Sequence, residues 1–183
     1  TTANYTVDTT APTVSSFSMN DTALITGDTP TVTIVFSEAV AGFSSDDDVT
    51  APNGSLATMT SSDNITWTGT FTPTSDVEDT SNILTLATTY TDTAGNAPAS
   101  ASTTANYEID TIAPTMTITS STVSDGSTSS DPAITLIFTS SEATTDFTVD
   151  DVTVTNGSMS NFASVSSTVY TVIFTPSSNG ATT

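Results

Sequence analysis

The sequence TTANYTVDTTAPTV, from Thr1 to Val14, returns almost unchanged as TTANYEIDTIAPTM, from Thr103 to Met116. Matching positions in the two stretches lie 102 residues apart, which is the separation of Tyr5 and Tyr107. A fixed offset of that size indicates tandem domains, because about 100 residues are enough to bury a hydrophobic core. The chain is therefore predicted to be a section of an array of similar units.

Apolar and polar residues alternate within each copy of this stretch. Ala3, Tyr5 and Val7 are separated by polar residues, which is the period-two pattern of a strand with one buried face. The Asp-Thr-X-Ala-Pro that follows ends the strand, because proline fixes its own φ and holds the preceding residue extended. We therefore expect a domain junction here. Residues 1–8 are predicted to be the last strand of a preceding repeat, and residues 9–109 a complete repeat.

A second unit follows with the same motifs in the same order. The triplet Asn-Gly-Ser begins at Asn53 and again at Asn156. The triplet Phe-Thr-Pro begins at Phe71 and again at Phe174, which is the same offset of 103 residues. Counterparts of the last two strands of the first unit would fall beyond the final residue. Residues 110–183 are therefore predicted to be a second repeat that lacks its last two strands.

The charge balance of the chain argues against several classes of partner. The sequence has 20 acidic residues and no Lys, Arg or His, which gives a formal net charge of −20. Nucleic acids and anionic membranes are bound chiefly through Lys and Arg, so neither is an expected partner. No apolar run approaches the roughly 20 residues that a membrane-spanning helix needs, so membrane insertion is not expected either. Cys is absent, so stability must come from the core, with or without metal ions.

The distribution of apolar residues predicts an all-β fold. About 40% of the chain is Ser or Thr, but Val, Ile, Leu, Phe and Tyr recur at strand spacing and no helical period is present. Strands every 8 to 15 residues or so are typical of a β-sandwich of about seven strands per repeat. A turn at Asn53-Gly54 is predicted to close a hairpin between the third and fourth strands. The seven candidate strands lie near Thr13–Met19, Thr31–Phe36, Asp48–Ala51, Leu56–Thr60, Asn64–Phe71, Ile83–Tyr90 and Thr103–Ile109.

Several motifs together resemble a known family. DTTAPTV, FSEAVAGFSSDDDVT, NGSL, FTP and YTDTAGN are similar to the bacterial Ig-like repeats that form long arrays in large surface adhesins and biofilm-associated proteins. The resemblance covers all of the first unit and the part of the second that is present. It implies an all-β fold of tandem Ig-like β-sandwiches, an extracellular spacer module and, in some relatives, calcium at domain junctions. Antibody-type domains carry a Cys pair that is missing here, and Trp67 is predicted to be a core aromatic.

Acidic residues are predicted to gather at one end of the sandwich. Tracing seven strands alternately down and up places Asp8, the loop with Glu38 and the turn at Asp92 together. No cationic side chain can relieve their repulsion, whereas Ca²⁺ binds 6 to 8 oxygen ligands from carboxylates, amides, carbonyls and water. We therefore expect calcium as a cofactor. The candidate ligands are Asp8, Glu38, Asp92 and Asn96 at the first junction, with Asp110 and Glu142 at the second.

An alternative to calcium binding remains open for these acids. They can equally be surface residues that only increase solubility. The run from Asp46 to Asp48 is predicted to be a solvated entrance to a strand, since no EF-hand spacing is present.

The sequence favours a structural role over catalysis. Without His, Cys, Lys or Arg there is no usual nucleophile–base pair, and no spacing singles out the two carboxylates of a glycosidase. We expect a non-catalytic spacer at the cell surface whose partners are neighbouring Ig-like repeats of the same or an adjacent chain. The alternative is a module that binds a glycan or a protein through its loops, or that polymerises by strand donation. Short loops with few exposed aromatic residues favour the spacer.

Overall fold

A computed structural model describes residues 3–177 of the chain. The described chain divides between Ile112 and Ala113 into two compact units, here called unit 1 and unit 2. Strands dominate the described part of both units, where helix is confined to two single turns. Within residues 3–177, no helix has the length and apolar character required to cross a membrane.

Unit 1 is built from many short strands and one helical turn, α1 (Ser45–Asp48). The strands are β1 (Val14–Met19), β2 (Ala23–Ile25), β3 (Thr31–Phe36), β4 (Val40–Ala41), β5 (Val49–Thr50), β6 (Gly54–Leu56), β7 (Thr66–Pro73), β8 (Glu78–Asn82), β9 (Thr85–Leu86), β10 (Thr91–Asp92), β11 (Ser102–Thr103) and β12 (Tyr107–Asp110).

These strands form the two layers of a sandwich. One layer is an antiparallel sheet in the order β1-β3-β7-β6. The other layer is interrupted. In one part of it β12 pairs with β2 and β8, and in the other part β9 pairs with β11 and β5. The β2–β12 pair is parallel and the remaining pairs are antiparallel. A short pair, β4–β10, closes one end.

The apolar residues that alternate with more exposed residues in the long strands form part of the core of unit 1. In β3, Val32, Ile34 and Phe36 are buried while the residues between them are more exposed. Each such side chain stabilises the fold by about 1.5–3 kcal/mol relative to an exposed position. The opposite layer contributes Leu24, Leu84, Leu86, Tyr107 and Ile109 to the same cluster. The tandem Ig-like β-sandwich predicted from the sequence is therefore the observed fold class.

Several predicted strand boundaries were wrong, and unit 1 has twelve short strands rather than seven. β2 lies between the first two predicted strands, where no strand was predicted, and its strand character comes from its pairing with β12. The sixth strand begins earlier than predicted, at Glu78, and breaks after Asn82. At the break, side chains replace ladder hydrogen bonds, since Leu84 N donates to Thr104 Oγ1 at 3.0 Å.

The acidic run at Asp46–Asp48 leads into β5, and Asp46 and Asp47 are exposed, but the run is not solvated throughout. It forms α1, and Asp48 is only 4% exposed. Its carboxylate accepts a hydrogen bond from Ser44 N at 2.8 Å and another from Thr89 Oγ1. Such local side-chain bonds offer the backbone an alternative to a strand.

The Asn53-Gly54 turn does not close the predicted hairpin. β5 before it pairs with β9, and β6 after it pairs with β7, so the chain passes here from one layer to the other. Asn53 has a positive φ of 53°, whereas Gly54 does not. Gly54 is required for space instead, because a Cβ atom there would overlap the ring of Phe71.

Unit 2 repeats the first layer of unit 1. Its strands β13 (Met116–Ser120), β14 (Ile134–Ser140), β15 (Gly157–Ser164) and β16 (Val169–Pro176) form an antiparallel sheet in the order β13-β14-β16-β15. A 3-10 turn at Val149–Asp151 occupies the place of α1. Among residues 113–177 the structure shows no counterpart of the second layer.

The predicted extent of the repeats stays a prediction. Thr1, Thr2 and residues 178–183 lie outside the described residues. Residues 3–13 belong to no strand within this chain, so the assignment of residues 1–8 to a preceding repeat has no direct structural counterpart. The prediction that the second repeat lacks its last two strands also stays a prediction.

Candidate functional site

Three of the predicted metal ligands come together at one end of unit 1. One carboxylate oxygen from each of Asp8, Glu38 and Asp92 lies within 4.8 Å of the other two. Asp8 is exposed, Glu38 is half-buried and Asp92 is only 1% exposed. We call these three residues the acidic cluster.

Asp92 is held rigidly by the turn that follows it. It ends β10, where it pairs with Val40, and its Oδ1 accepts hydrogen bonds from the backbone N–H groups of Ala94 and Asn96, each at 2.8 Å. Gly95 has a φ of 95°, a conformation that glycine adopts readily and that lets the turn fold back on the carboxylate. The sequence DTAGN is thus a local cradle for the Asp92 side chain.

Glu38 is positioned by a clamp between its loop and the start of β1. Ser37 N donates to Thr13 O at 2.8 Å, and Thr13 N donates to Ser37 Oγ at 2.9 Å. This reciprocal pair fixes the loop after β3 against the residues that lead from Asp8 into β1. The sequence analysis did not identify Ser37 or Thr13.

Asn96 ties the N-terminal segment to the acidic cluster. Its Nδ2 atom donates to Asp92 Oδ2 at 2.7 Å, and it also lies 3.2 Å from Asp8 O and 3.3 Å from Thr10 O. Three oxygen partners require the nitrogen side of the amide to face them. Asn96 therefore acts here as a positioning residue, and its predicted role as a metal ligand stays a prediction.

The acidic cluster concentrates negative charge without compensation. Burial, followed by the negative charges of Asp8 and Asp92, raises the pKa of Glu38. Hydrogen bonds, the largest from the Asn96 side chain, lower the pKa of Asp92 despite its burial. No Lys, Arg or His exists anywhere in the chain to pair with these groups. A cation from solution is the available source of positive charge.

The donor set fits a calcium ion. Because each Ca–O bond is about 2.3–2.6 Å long, two oxygens on one ion lie at most about 5 Å apart. The 4.8 Å limit within the acidic cluster satisfies that condition. Carboxylates are the hard oxygen ligands that Ca²⁺ prefers, and water can fill the remaining positions.

The second predicted pair of ligands is divided between the two units. Asp110 ends β12 of unit 1 and is exposed, whereas Glu142 is half-buried in unit 2. The clamp is repeated in unit 2, where Ser141 N donates to Thr115 O and Thr115 N donates to Ser141 Oγ, each at 2.9 Å. Glu142 thus follows the same local structure as Glu38. The metal assignment of this pair stays a prediction.

Trp67 has the position of a core aromatic residue. It is half-buried, and its ring meets that of Phe43 edge-on with centroids 4.9 Å apart. Phe43 in turn packs against Phe36 and Tyr90. Unit 2 places Tyr170, Phe147 and Phe138 in a matching arrangement.

Unit 1 is a sandwich of two strand layers with an acidic end, and unit 2 repeats its first layer; together they define a tandem Ig-like β-sandwich protein. A family model described as a bacterial Ig-like domain matches residues 8–109 and again residues 110–183. The chain therefore belongs to the bacterial Ig-like domain family. No curated protein and no solved structure matches it significantly.

Family membership supports a coarse description of the role. Domains of this kind are repeat modules typical of extracellular and surface proteins, and they are generally non-catalytic.

Proposed function

We propose that the chain is a non-catalytic spacer, or stalk, in an extracellular repeat adhesin or surface filament, and that calcium stiffens it. The observation that carries the proposal is the acidic cluster of Asp8, Glu38 and Asp92. Its members come from the segment before β1, the loop after β3 and the end of β10. One ion bound there would fasten the entry of the chain to the body of unit 1.

The mechanism is restraint of the segment that precedes the domain. Without an ion, three carboxylates within 4.8 Å repel one another, and the hydrogen bonds of Asn96 to Asp8 O and Thr10 O must hold that segment. With an ion, the Asp8 side chain is attracted to Glu38 and Asp92. A fixed entry point transmits the orientation of one repeat to the next, which is what a semi-rigid rod requires.

The repeats themselves are the proposed partners. Residues 1–8 are assigned to the last strand of a preceding repeat, residues 9–109 to a complete repeat and residues 110–183 to the next one. The motif that supplies Asp8 recurs at Asp110, and the motif that supplies Glu38 recurs at Glu142. On the basis of that repetition, we propose Asp110 and Glu142 as candidate ligands of a second calcium ion.

Thermal unfolding with and without a chelator, at fixed ionic strength, tests the calcium site. An ion that binds only the folded state stabilises it by about 2.7 kcal/mol at a concentration of 100 Kd. For a domain of about 100 residues this corresponds to a rise in Tm of roughly 10 °C. Magnesium at the same concentration controls for non-specific screening. Superimposable melting curves in calcium and chelator would remove the metal from the proposal.

A further inference from the structure

Three Asn-X-Ser/Thr triplets lie within the sandwich of unit 1, and they begin at Asn20, Asn53 and Asn64. Such a triplet accepts an N-linked sugar on its Asn when the middle residue is not proline, and the modified site lies on the surface of the protein. Ser and Thr are so frequent in this chain that the triplets arise by chance, so the sequence alone does not rank them. The hydrogen bonds of the three amide groups do.

Two of the three amide groups are already used inside the fold. Asn53 is half-buried, and its Nδ2 atom donates to Asp79 Oδ2 at 2.9 Å and to Asn82 Oδ1 at 2.8 Å. A sugar bonded to that nitrogen would remove one donor and break the pair of hydrogen bonds. Asn20 is exposed, but its Oδ1 atom accepts from Thr31 N at 2.7 Å, which holds the amide against the start of β3.

Asn64 combines a fixed backbone with an accessible amide. Its backbone N–H donates to Ser61 Oγ at 2.9 Å, its carbonyl oxygen accepts from Val40 N at 3.0 Å, and its φ is 60°. The residue is exposed, and among residues 3–177 its side-chain amide has no hydrogen-bond partner. Thr66, which supplies the hydroxyl group of the triplet, is exposed as well at the start of β7. Both side chains of this acceptor triplet are therefore accessible.

The segment around Asn64 also borders a shallow polar depression of about 450 Å³. This volume lies within the roughly 300–1,000 Å³ range of small-molecule sites. Its lining consists of five hydroxyl side chains and one carboxylate, groups that both donate and accept hydrogen bonds as the hydroxyl groups of a sugar do. The lining residues are Thr60, Ser61, Ser62, Asp63, Thr66 and Thr68.

A tethered sugar suits this depression better than a free one. Among the described residues, the lining has none of the Trp, Tyr or Arg side chains that usually anchor recognition, so a free sugar would bind weakly. A sugar attached to the neighbouring Asn64 is held beside the depression at a high effective concentration. Attachment thus supplies the affinity that the lining does not.

We propose that Asn64 is a site of N-linked glycosylation and that the first sugar of the glycan lies in the polar depression. The Asn64 Nδ2 atom attacks the anomeric carbon of a sugar activated by a diphosphate. The bond from carbon to nitrogen forms, the bond from carbon to the diphosphate oxygen breaks, and one amide proton passes to a base of the transferase. The diphosphate belongs to a nucleotide or to a lipid. This inference goes beyond the spacer role and does not depend on the calcium site.

Two glycosyltransferases test the two sources of the sugar. One acts on the purified, folded full chain with a nucleotide-activated hexose. The other is co-expressed in a host that exports the chain and supplies a lipid-diphosphate oligosaccharide. Each enzyme is chosen because it modifies a peptide of residues 60–70, so a failure on the folded chain reports the fold. The arm that modifies the chain identifies the donor.

Mass spectrometry of peptides reports which Asn carries the sugar. Cleavage must occur at acidic or apolar residues, since the chain has no Lys or Arg for trypsin. We expect a sugar at Asn64 and an unmodified Asn53. Asn64→Gln should lose that sugar, and the matched variant Asn20→Gln should retain it. A folded chain that neither enzyme modifies at Asn64, or a sugar on Asn53 in its place, would overturn the site.

Thermal unfolding tests where the sugar lies. The sugar on Asn64 should raise the Tm of the full chain, because its contacts with the depression exist only in the folded state. Thr68→Ala should abolish that rise without preventing modification, since it removes a lining hydroxyl. Thr70→Ala is the control, an exposed position on β7 outside the depression, and should retain the rise. An absent rise, or equal rises in the two variants, would refute the placement. A chelator in every sample keeps this result independent of the calcium test.

Discussion

At the scale of single residues, Glu38 links the charge of the acidic cluster to stability. Burial and the charges of Asp8 and Asp92 raise its pKa above the ordinary value of 4.5. A carboxyl group with a raised pKa in the folded state binds its proton more tightly there than in the unfolded chain. Its contribution to stability is therefore complete below pH 4.5 and is lost as the pH rises through the raised pKa.

Asp92 acts in the opposite direction. The hydrogen bonds of the DTAGN turn lower its pKa below 3.8, with the Asn96 side chain contributing most. Its stabilising contribution is present above pH 3.8 and is lost as the pH falls through the lowered pKa. The two carboxylates thus respond to pH in separate ranges, which lets their effects be distinguished.

The effect of Glu38→Gln on Tm should change sign when calcium is added. In chelator near neutral pH it should raise Tm, because the repulsion from Asp8 and Asp92 is removed, and it should abolish the loss of stability above pH 4.5. In calcium it should lower Tm relative to the unchanged chain, because one ligand is lost. Glu108→Gln is the matched control, since it removes the same charge from an exposed position on β12. A variant that is less stable than the unchanged chain in chelator would refute the repulsion.

The convergence of the acidic cluster could be predicted from strand order alone. Alternating strand directions place Asp8, Glu38 and Asp92 at one end without knowledge of exact boundaries. The clamp of Ser37 and Thr13 could not be predicted, because hydroxyl side chains make up about 40% of the sequence and carry no individual signal. Its repetition as Ser141 and Thr115 is the one clue that an internal alignment would provide.

At the scale of elements, an Asn-Gly pair opens the strand before each Phe-Thr-Pro segment. Asn53 and Asn156 take positive φ values of 53° and 57°, which Asn tolerates better than most residues. The glycine that follows lies under an aromatic ring, Gly54 under Phe71 and Gly157 under Phe174. The repeated pair therefore serves two purposes, a turn and an aromatic packing site.

Gly54→Ala should destabilise unit 1 although the backbone φ there suits any residue. The added methyl group overlaps the buried Phe71 ring, and such overpacking costs about 1–3 kcal/mol. Urea denaturation measures the effect through the transition midpoint. Ser55→Ala, at the exposed neighbouring position, is the control and should change stability by no more than about 0.5 kcal/mol. Equal midpoints for Gly54→Ala and the unchanged chain would show that the ring moves aside without cost.

Long strands were predictable and short ones were not. β3 and β7 show alternation over six and eight residues, and the sequence located both. β2, β4 and β10 have only two or three residues each, too few for a period to appear. Their strand character depends on partners distant in sequence, as when β10 pairs with β4 about 50 residues away. The burial of Asp48 was missed for the same reason, since Thr89 lies 41 residues away.

At the scale of the whole molecule, the chain has negative charge and nothing to balance it. A net charge of −20 on 183 residues with no cationic side chain means that folding brings like charges together. Repulsion of this kind acts between many exposed groups and does not require a specific site. Monovalent salt screens it over distances longer than about 8 Å at 0.15 M.

Sodium chloride should therefore stabilise the chain in the presence of a chelator. Raising ionic strength from about 0.01 M to 0.15 M shortens the Debye length from about 30 Å to about 8 Å, which weakens the long-range repulsion. We expect Tm to rise with NaCl and to level off once the Debye length is short. Sucrose at matched osmolality controls for general solvent effects. A Tm that is constant or falls with salt would mean that repulsion is not a significant part of the stability.

The repeat offset alone indicates how the whole chain is organised. Motifs spaced by 102 or 103 residues located two similar units, and the family model matches two adjacent segments at the same place. Which apolar surfaces are buried could not be predicted from the repeat. Residues 3–9 and 105–111 have nearly equal sequences, yet Tyr5 is 86% exposed and Tyr107 is 1% exposed.

Calcium titration of the full chain by isothermal calorimetry, in about 0.15 M NaCl, tests the proposed function most directly. We expect saturable binding to the unchanged chain, similar binding to Glu108→Gln, and a markedly weaker isotherm for Glu38→Gln. Pre-loading with magnesium should leave the calcium isotherm largely intact, because Mg²⁺ needs shorter bonds and near-ideal octahedral geometry. An unchanged chain that shows no saturable heat, or a Glu38→Gln isotherm indistinguishable from it, would contradict a calcium ion at the acidic cluster.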